Sequence, residues 1–208
     1  MGKVVILGAG NVGKTLLDIL EQRKHKIWII DERRDVCNEL ASQKSASVIH
    51  GDATDPTLLD ELDLKDMDYI FAVSGSEEAN FLAGVYSKQA GAQKVICRVD
   101  SLKHSNLLEK MGIESVVSEF TLASELANRV SSPIIHKMLN PTESKLELVE
   151  KDADKKLFGK SVREYTRDQN YQVIAIYNEG EYRLAKPLER FKEGDKLIVL
   201  RERGFKLF

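Results

Sequence analysis

The stretch Lys3-Val4-Val5-Ile6-Leu7-Gly8-Ala9-Gly10-Asn11-Val12-Gly13 decides the fold. Lys3–Leu7 is a compact, largely β-branched apolar run that stops at a glycine, the pattern of a buried strand. Beyond it Val12, Leu16, Ile19, Leu20 and Arg23 fall at helical spacing, with Leu17 widening the apolar face, which predicts a helix over 12–23. The turn between them has the form G-x-G-x-x-G. Gly8 permits the tight turn, Gly10 lets the backbone approach a pyrophosphate, and Gly13 lets the helix lie close on the strand. The helix start offers free N–H groups and a positive dipole end to phosphates. A glycine-rich turn without a ligand has the same spelling, so context decides. The motif stands at the start of the chain between a strand and a helix. Asp31 then ends the next strand, Lys26–Ile30, about 20 residues on, where an acid accepts hydrogen bonds from adenosine ribose hydroxyls. Asp31 disfavours a 2′-phosphate by repulsion, whereas Arg33 and Arg34 are placed to accommodate one.

Working outward, the alternation continues. Arg34–Gln43 is helical, Ser47–Ile49 is a short strand, and Asp55-Pro56 opens a helix. Asp68–Val73 is a fourth strand, Glu77–Gln89 a helix, Lys94–Val99 a fifth strand, Lys103–Met111 a helix and Glu114–Val117 a sixth strand. Strand–helix alternation of this kind predicts an α/β fold: a Rossmann-like, doubly wound parallel sheet with helices on both faces. The texture changes after residue 118. Glu119–Leu139 is a long helical stretch with Leu122, Leu126, Ala127 and Val130 on one stripe. Pro133 breaks or kinks it near Ser131-Ser132, and Asn140-Pro141 ends it. From Lys145 the pattern is β, with Val173–Tyr177 and Tyr182–Leu184 flanking the hairpin residues Asn178-Glu-Gly180-Glu, and Asp195–Arg201 as a last strand. The expected organisation is a nucleotide-binding domain over 1–118, a helical crossover or dimerisation linker over 119–140, and a small α+β domain over 141–208.

Composition narrows the function classes. The 208 residues are 42% hydrophobic and 31% charged, which supports a core and excludes disorder as the dominant state. Lys and Arg number 31 against 33 Asp and Glu, without the basic excess of a nucleic-acid binder. Cys37 and Cys97 form no CxxC pair, against a disulfide framework or a zinc site and in keeping with a reducing cytoplasm. No window approaches about 18 consecutive apolar residues, so a membrane role comes through a partner.

Other candidate residues cluster at the ends of the predicted strands, where an open α/β sheet binds its ligand. Asp52, in Gly51-Asp52-Ala53-Thr54, is placed to accept from an adenine amino group, and Asp52 or Thr54 to cap the helix at Pro56, two roles that are compatible. Ser74 and Gly75 follow strand four, where the far half of a dinucleotide or a γ-phosphate would pass. Ser76, Glu77 and Glu78 read equally as a helix N-terminus with acids in its first turn. Arg98 interrupts an apolar strand and needs a partner, either phosphate or a carboxylate on a neighbouring subunit. Catalytic groups are absent from the pattern: His25 lies in a charged, solvated loop, His50 flanks the crevice before Gly51-Asp52, His104 and His136 sit on helices without acid or cysteine at ligand spacing, and there is no Tyr-x-x-x-Lys pair, nucleophile elbow or metal-ligand cluster.

Together Gly8–Gly13, Asp31, Gly51-Asp52-Ala53, Glu78-Ala79-Asn80 and Arg98 resemble the RCK domain, also called the TrkA N-terminal domain. Leu157-Phe-Gly159-Lys-Ser161, Pro187 and Gly194-Asp195-Lys-Leu-Ile-Val199 resemble the TrkA C-terminal domain. The resemblance covers nearly the whole chain, as a single TrkA- or KtrA-type unit. It implies a cytoplasmic, non-enzymatic regulatory subunit at the inner face of the membrane, gating a potassium transporter or channel. The implied partner is an integral TrkH- or KtrB-like subunit, and the implied assembly a dimer, tetramer or octameric ring. It implies NAD(H) or ATP/ADP as ligand. Gly8, Ala9, Gly10, Asn11, Val12 and Gly13 would serve the phosphates, Asp31 the ribose, and Asp52 with Ala53 the adenine. Ser74 and Gly75 would border the far half, and Arg98 would reach phosphate. Val117-Ser-Glu119 resembles a segment that supplies a divalent-cation carboxylate from Glu119, with Ser118 where proline is common. The competing reading is an NAD(P)-dependent oxidoreductase with a reduced second domain, and turnover separates the two. A DNA-binding redox sensor is disfavoured by the near-neutral charge and the missing winged-helix pattern.

Overall fold

A computed structural model describes residues 2–140, 143–167 and 169–203. It divides into two compact units, Met1–Ser124 and Glu125–Phe208, with the division falling inside a helix.

The first unit is built on six strands: β1 (Lys3–Leu7), β2 (Lys26–Asp31), β3 (Ser47–His50), β4 (Tyr69–Ala72), β5 (Val95–Val99) and β6 (Glu114–Val117). They form one parallel sheet in the order β3-β2-β1-β4-β5-β6. Helices α1 (Asn11–Gln22), α2 (Arg34–Gln43), α3 (Pro56–Asp60), α4 (Glu77–Gln89) and α5 (Leu102–Lys110) connect them. Alternation along β1 explains why both faces are covered. Val4 and Ile6 pack with Leu17 of α1 and Val36 and Leu40 of α2. Val5 and Leu7 pack on the opposite face with Leu59 of α3, Ala83 of α4 and Leu108 of α5. The sheet is therefore doubly wound, as its strand pattern predicts. Chain order reverses at β1, which lies between β2 and β4, and this places the switch point beside the glycine turn.

The predicted long helix is two: α6 (Ser118–Ser131) and α7 (Pro133–Leu139), broken at Ser132 where Pro133 takes the first helical position. Phe120, Leu122, Leu126 and Val130 of α6 and Ile134 and Ile135 of α7 are exposed. In the second unit β7 (Leu146–Asp152), β8 (Tyr171–Asn178), β9 (Glu181–Leu184) and β10 (Lys196–Glu202) form an antiparallel sheet in the order β7-β10-β8-β9. The β8–β9 hairpin turns on Glu179 and Gly180, both left-handed, which is the primed turn its sequence predicts. Val173, Ile176, Leu197 and Val199 bury one face against Leu157, Val162, Tyr165 and Phe191.

One local expectation changes and one unassigned helix appears. Asp55, rather than Asp52 or Thr54, caps α3, accepting from Thr57 N at 2.9 Å, because Pro56 occupies the first helical position and the cap is the residue before it. A further helix, α8 (Val162–Thr166), follows Ser161, whose hydroxyl and backbone form a capping box with Glu164. Pro141 lies outside the described residues. Among the described residues no helix is long and apolar enough to cross a membrane.

Candidate nucleotide cleft

Parallel pairing sets Leu7 beside Ile30 on one side and Ala72 on the other, so the chain leaves β1, β2 and β4 at one edge. The glycine turn holds there for backbone reasons. Gly8 has φ +106°, and a Cβ on it would stand 2.6 Å from the Cα of Ser74. Gly8 N donates to Ile30 O at 2.8 Å, pinning the turn to β2. A Cβ on Gly10 would meet nothing within 4 Å, so the motif's middle glycine faces open space. Helix α1 starts at that point without a side-chain cap and without an acid in its first turn. Helices α3, α4, α5 and α8 are capped by an Asp or Ser side chain, whereas α2 and α7, like α1, are not. An uncapped, acid-free helix start beside an open backbone is suited to an anion.

Beside the turn stands Asp31, whose side chain is 6% exposed. Its Oδ2 accepts from Ala9 N at 2.7 Å, which locks the end of β2 to the turn. Its Oδ1 accepts from Arg33 N at 3.0 Å and Arg33 Nε at 2.8 Å, and Oδ2 accepts from Arg33 Nη2 at 3.0 Å. Burial pushes this carboxyl up, but the hydrogen bonds and charge of Arg33 with the Ala9 amide outweigh it and hold the group below its ordinary value. Asp52 accepts from Thr54 N and Oγ1, both at 2.7 Å, and these bonds hold its carboxyl down.

The cleft is lined by Gly8, Gly10, Asp31, Asp52, Ala53, Ser74 and Gly75 among the residues expected from sequence. Ala9 is buried and acts through its amide, Gly13 is buried beneath the turn, and Asn11 and Val12 are exposed on the first turn of α1. Arg98 does not line the cleft: Nε donates to Ser118 Oγ at 3.4 Å and Nη2 lies 3.7 Å from Asp100 Oδ1. Its partners are on its own chain, just past β5 and at the start of α6. Glu77 binds the Asp100 and Ser101 amides and sits 2.9 Å from His104 Nδ1, so this acid joins α4 to α5 rather than facing the cleft. Glu119 is exposed, and among the described residues no three His, Cys, Asp or Glu side chains come together to hold a metal.

Asn80 is the residue whose role the sequence pattern hides. Buried on α4, it accepts from Ser74 N at 2.7 Å through Oδ1. Its Nδ2 donates to Ser74 O at 3.2 Å and Arg98 O at 3.0 Å. One amide thus fixes the loop after β4 and the end of β5.

Residues 4–119 match the TrkA-N domain family. The Trk system potassium uptake protein TrkA homolog of Methanothermobacter thermautotrophicus is 30% identical over 199 residues, covering 95% of this chain and 92% of that protein. A second homolog, from Methanosarcina mazei, is 29% identical over 95% of this chain, which spans only 45% of that longer protein. Among solved structures, the GsuK channel bound to NAD superposes with a TM-score of 0.53 at 18% identity, covering 97% of this chain and 37% of that one.

Proposed function

The chain belongs to the TrkA-N domain family, and from that premise we propose that it is a nucleotide-binding regulatory subunit of a potassium-uptake system. It acts from the cytoplasmic side on an integral membrane transporter subunit and catalyses no reaction of its own. The observation that carries this reading is the cleft itself. The turn at the uncapped start of α1, with Gly10 open, and the buried Asp31 line one cleft. That pairs an anion site with a diol site at the switch point of the sheet. The ligand is NAD(H) or ATP/ADP: its phosphates meet the turn at Gly8–Val12, its ribose Asp31, and its adenine Asp52 and Ala53. The distal half passes Ser74 and Gly75. Arg98, a third exposed, reaches extra phosphate only by giving up its contacts with Ser118 and Asp100.

Regulation needs a second state. A ligand shifts an equilibrium only by binding its two states differently. The adenosine half binds alike in both states, and the distal half decides between them. The exposed apolar residues of α6 and α7 supply the assembly contact, because such a stripe is costly to leave in water. A homo-oligomer of at least two chains is the consequence.

The test is scattering or cross-linking of the assembly with NAD, NADH, ATP and ADP, alone and with the membrane subunit. At least two distinguishable shapes are expected, with NADH bound but not oxidised against a panel of carbonyl compounds. One shape for all four ligands makes the nucleotide a passive cofactor. Turnover of NADH restores the oxidoreductase reading, and a monomer at micromolar concentration removes the regulator.

A further inference from the structure

The contacts of Asp31 leave it no room for the ribose that the proposed reading assigns to it. A carboxylate offers about four acceptor positions, two on each oxygen. Oδ1 takes Arg33 N and Arg33 Nε, and Oδ2 takes Ala9 N and Arg33 Nη2. All four are filled from within the chain. The donors are of two kinds. Ala9 N and Arg33 N are main-chain amides fixed by the glycine turn and the start of α2. They orient the carboxylate and have nowhere else to go. Nε and Nη2 belong to a guanidinium on a side chain that is 51% exposed and lines the cleft. That group can swing into water, where its N–H groups are hydrated. It also places one N–H on each carboxylate oxygen. A ribose would present the same pattern, with its two neighbouring hydroxyls donating one to each oxygen.

We propose that Arg33 is a built-in competitor for the ribose subsite: its guanidinium stands in for the ribose diol and must leave before a nucleotide can be held by Asp31. The inference rests on the nucleotide reading and adds to it a residue that sets affinity. Displacement is balanced in hydrogen bonds. Two N–H···O contacts to Asp31 are exchanged for two O–H···O contacts, while the guanidinium is taken up by solvent or by neighbouring acids, since Glu32 and Asp35 both add to its charge environment. Asp31 is buried but the Arg33 side chain is half-exposed, so the guanidinium can leave into solvent and return. It lowers affinity for every diol-bearing nucleotide without altering the phosphate site. A regulator that must release its ligand as conditions change is served by such an arrangement.

The experiment compares ADP with 2′,3′-dideoxy-ADP, which carries the same adenine and phosphates but no diol, by calorimetry on the full chain. Arg33→Ala should bind ADP about three- to tenfold more tightly than the parent, the scale of a well-formed but solvent-accessible ion pair. Dideoxy-ADP should be unaffected. Arg33→Lys, which keeps the charge but cannot reach both oxygens, should tighten ADP by a smaller factor, and it decides the matter if the alanine variant does not fold. Weaker binding of ADP and dideoxy-ADP alike would make Arg33 an attractor of phosphate and overturn the proposal, as would unchanged ADP affinity in both variants. A parent protein that binds neither ligand defeats the nucleotide reading itself. A parent that binds ADP through Asp31, with no gain on removing Arg33, defeats this inference alone.

Discussion

The carbonyl oxygen of Gly8 occupies the space that a side chain on Gly13 would fill. The glycine turn and the first turn of α1 are thus in backbone contact, and the helix start can stand at the cleft only because position 13 carries no Cβ.

Gly13→Ala therefore forces either the turn or the helix to move. The obstruction is main chain, which cannot step aside as a flexible side chain would. We expect a loss of about 1–3 kcal/mol in urea-induced unfolding, the usual scale of overpacking, together with loss of nucleotide binding. Gly10→Ala should leave stability nearly unchanged, since a Cβ there meets nothing within 4 Å, yet still weaken binding by intruding on the phosphates. Equal effects of the two substitutions on stability would contradict this assignment.

Asn80→Ala removes three hydrogen bonds at once and leaves the main-chain groups of Ser74 and Arg98 without their partner. A cost of about 2 kcal/mol in stability is expected. Hydrogen exchange should quicken at Ser74–Ser76 while the amides of β1 stay protected. Exchange unchanged at the loop after β4 would show that something other than Asn80 holds it.

In the second unit Asp195 is buried among Asn178 Nδ2 at 2.7 Å, Arg183 Nη2 at 2.9 Å and Lys192 N at 2.8 Å. Burial raises its carboxyl, but these three donors outweigh burial and hold it below the ordinary 3.8. A folded-state value below the unfolded one means that the unfolded chain binds the proton first. The stabilisation is therefore complete above the unfolded value and disappears as pH falls through the folded one. Asp195→Asn should be less stable than the parent by about 1–3 kcal/mol near neutrality. The gap should narrow as the solution is taken from about pH 7 to about pH 3. A gap that stays constant over that range would mean the carboxylate charge contributes nothing.

The parts of the fold that depend on local backbone demands were legible in the sequence. The glycine motif, the strand ending in Asp31 and the Glu179-Gly180 hairpin each require particular residues wherever they occur. The division of the helices between the two faces of the sheet followed from strand–helix alternation. What escaped depends on contacts between distant segments. Arg98 suggests phosphate when read alone, and Ser118, twenty residues on, supplies its hydrogen bond. Asn80 looks like an ordinary residue in the first turn of a helix until β4 and β5 are placed beside it. The Arg33 guanidinium on Asp31 is a matter of side-chain rotamer, which spacing does not encode. Two misses were local. Pro56 already placed the α3 cap at Asp55, and Ser161-x-x-Glu164 is a capping-box pattern that announces α8.

The measurement that bears most directly on the account is calorimetric titration of the 208-residue chain and of Asp31→Ala with NAD and ADP. The account predicts one nucleotide bound per chain in the cleft and a loss of about 1–3 kcal/mol of binding free energy in the variant, because the ribose hydroxyls are left without their acceptor. Failure of the parent to bind either nucleotide at millimolar concentration, or equal affinity in parent and Asp31→Ala, would contradict it.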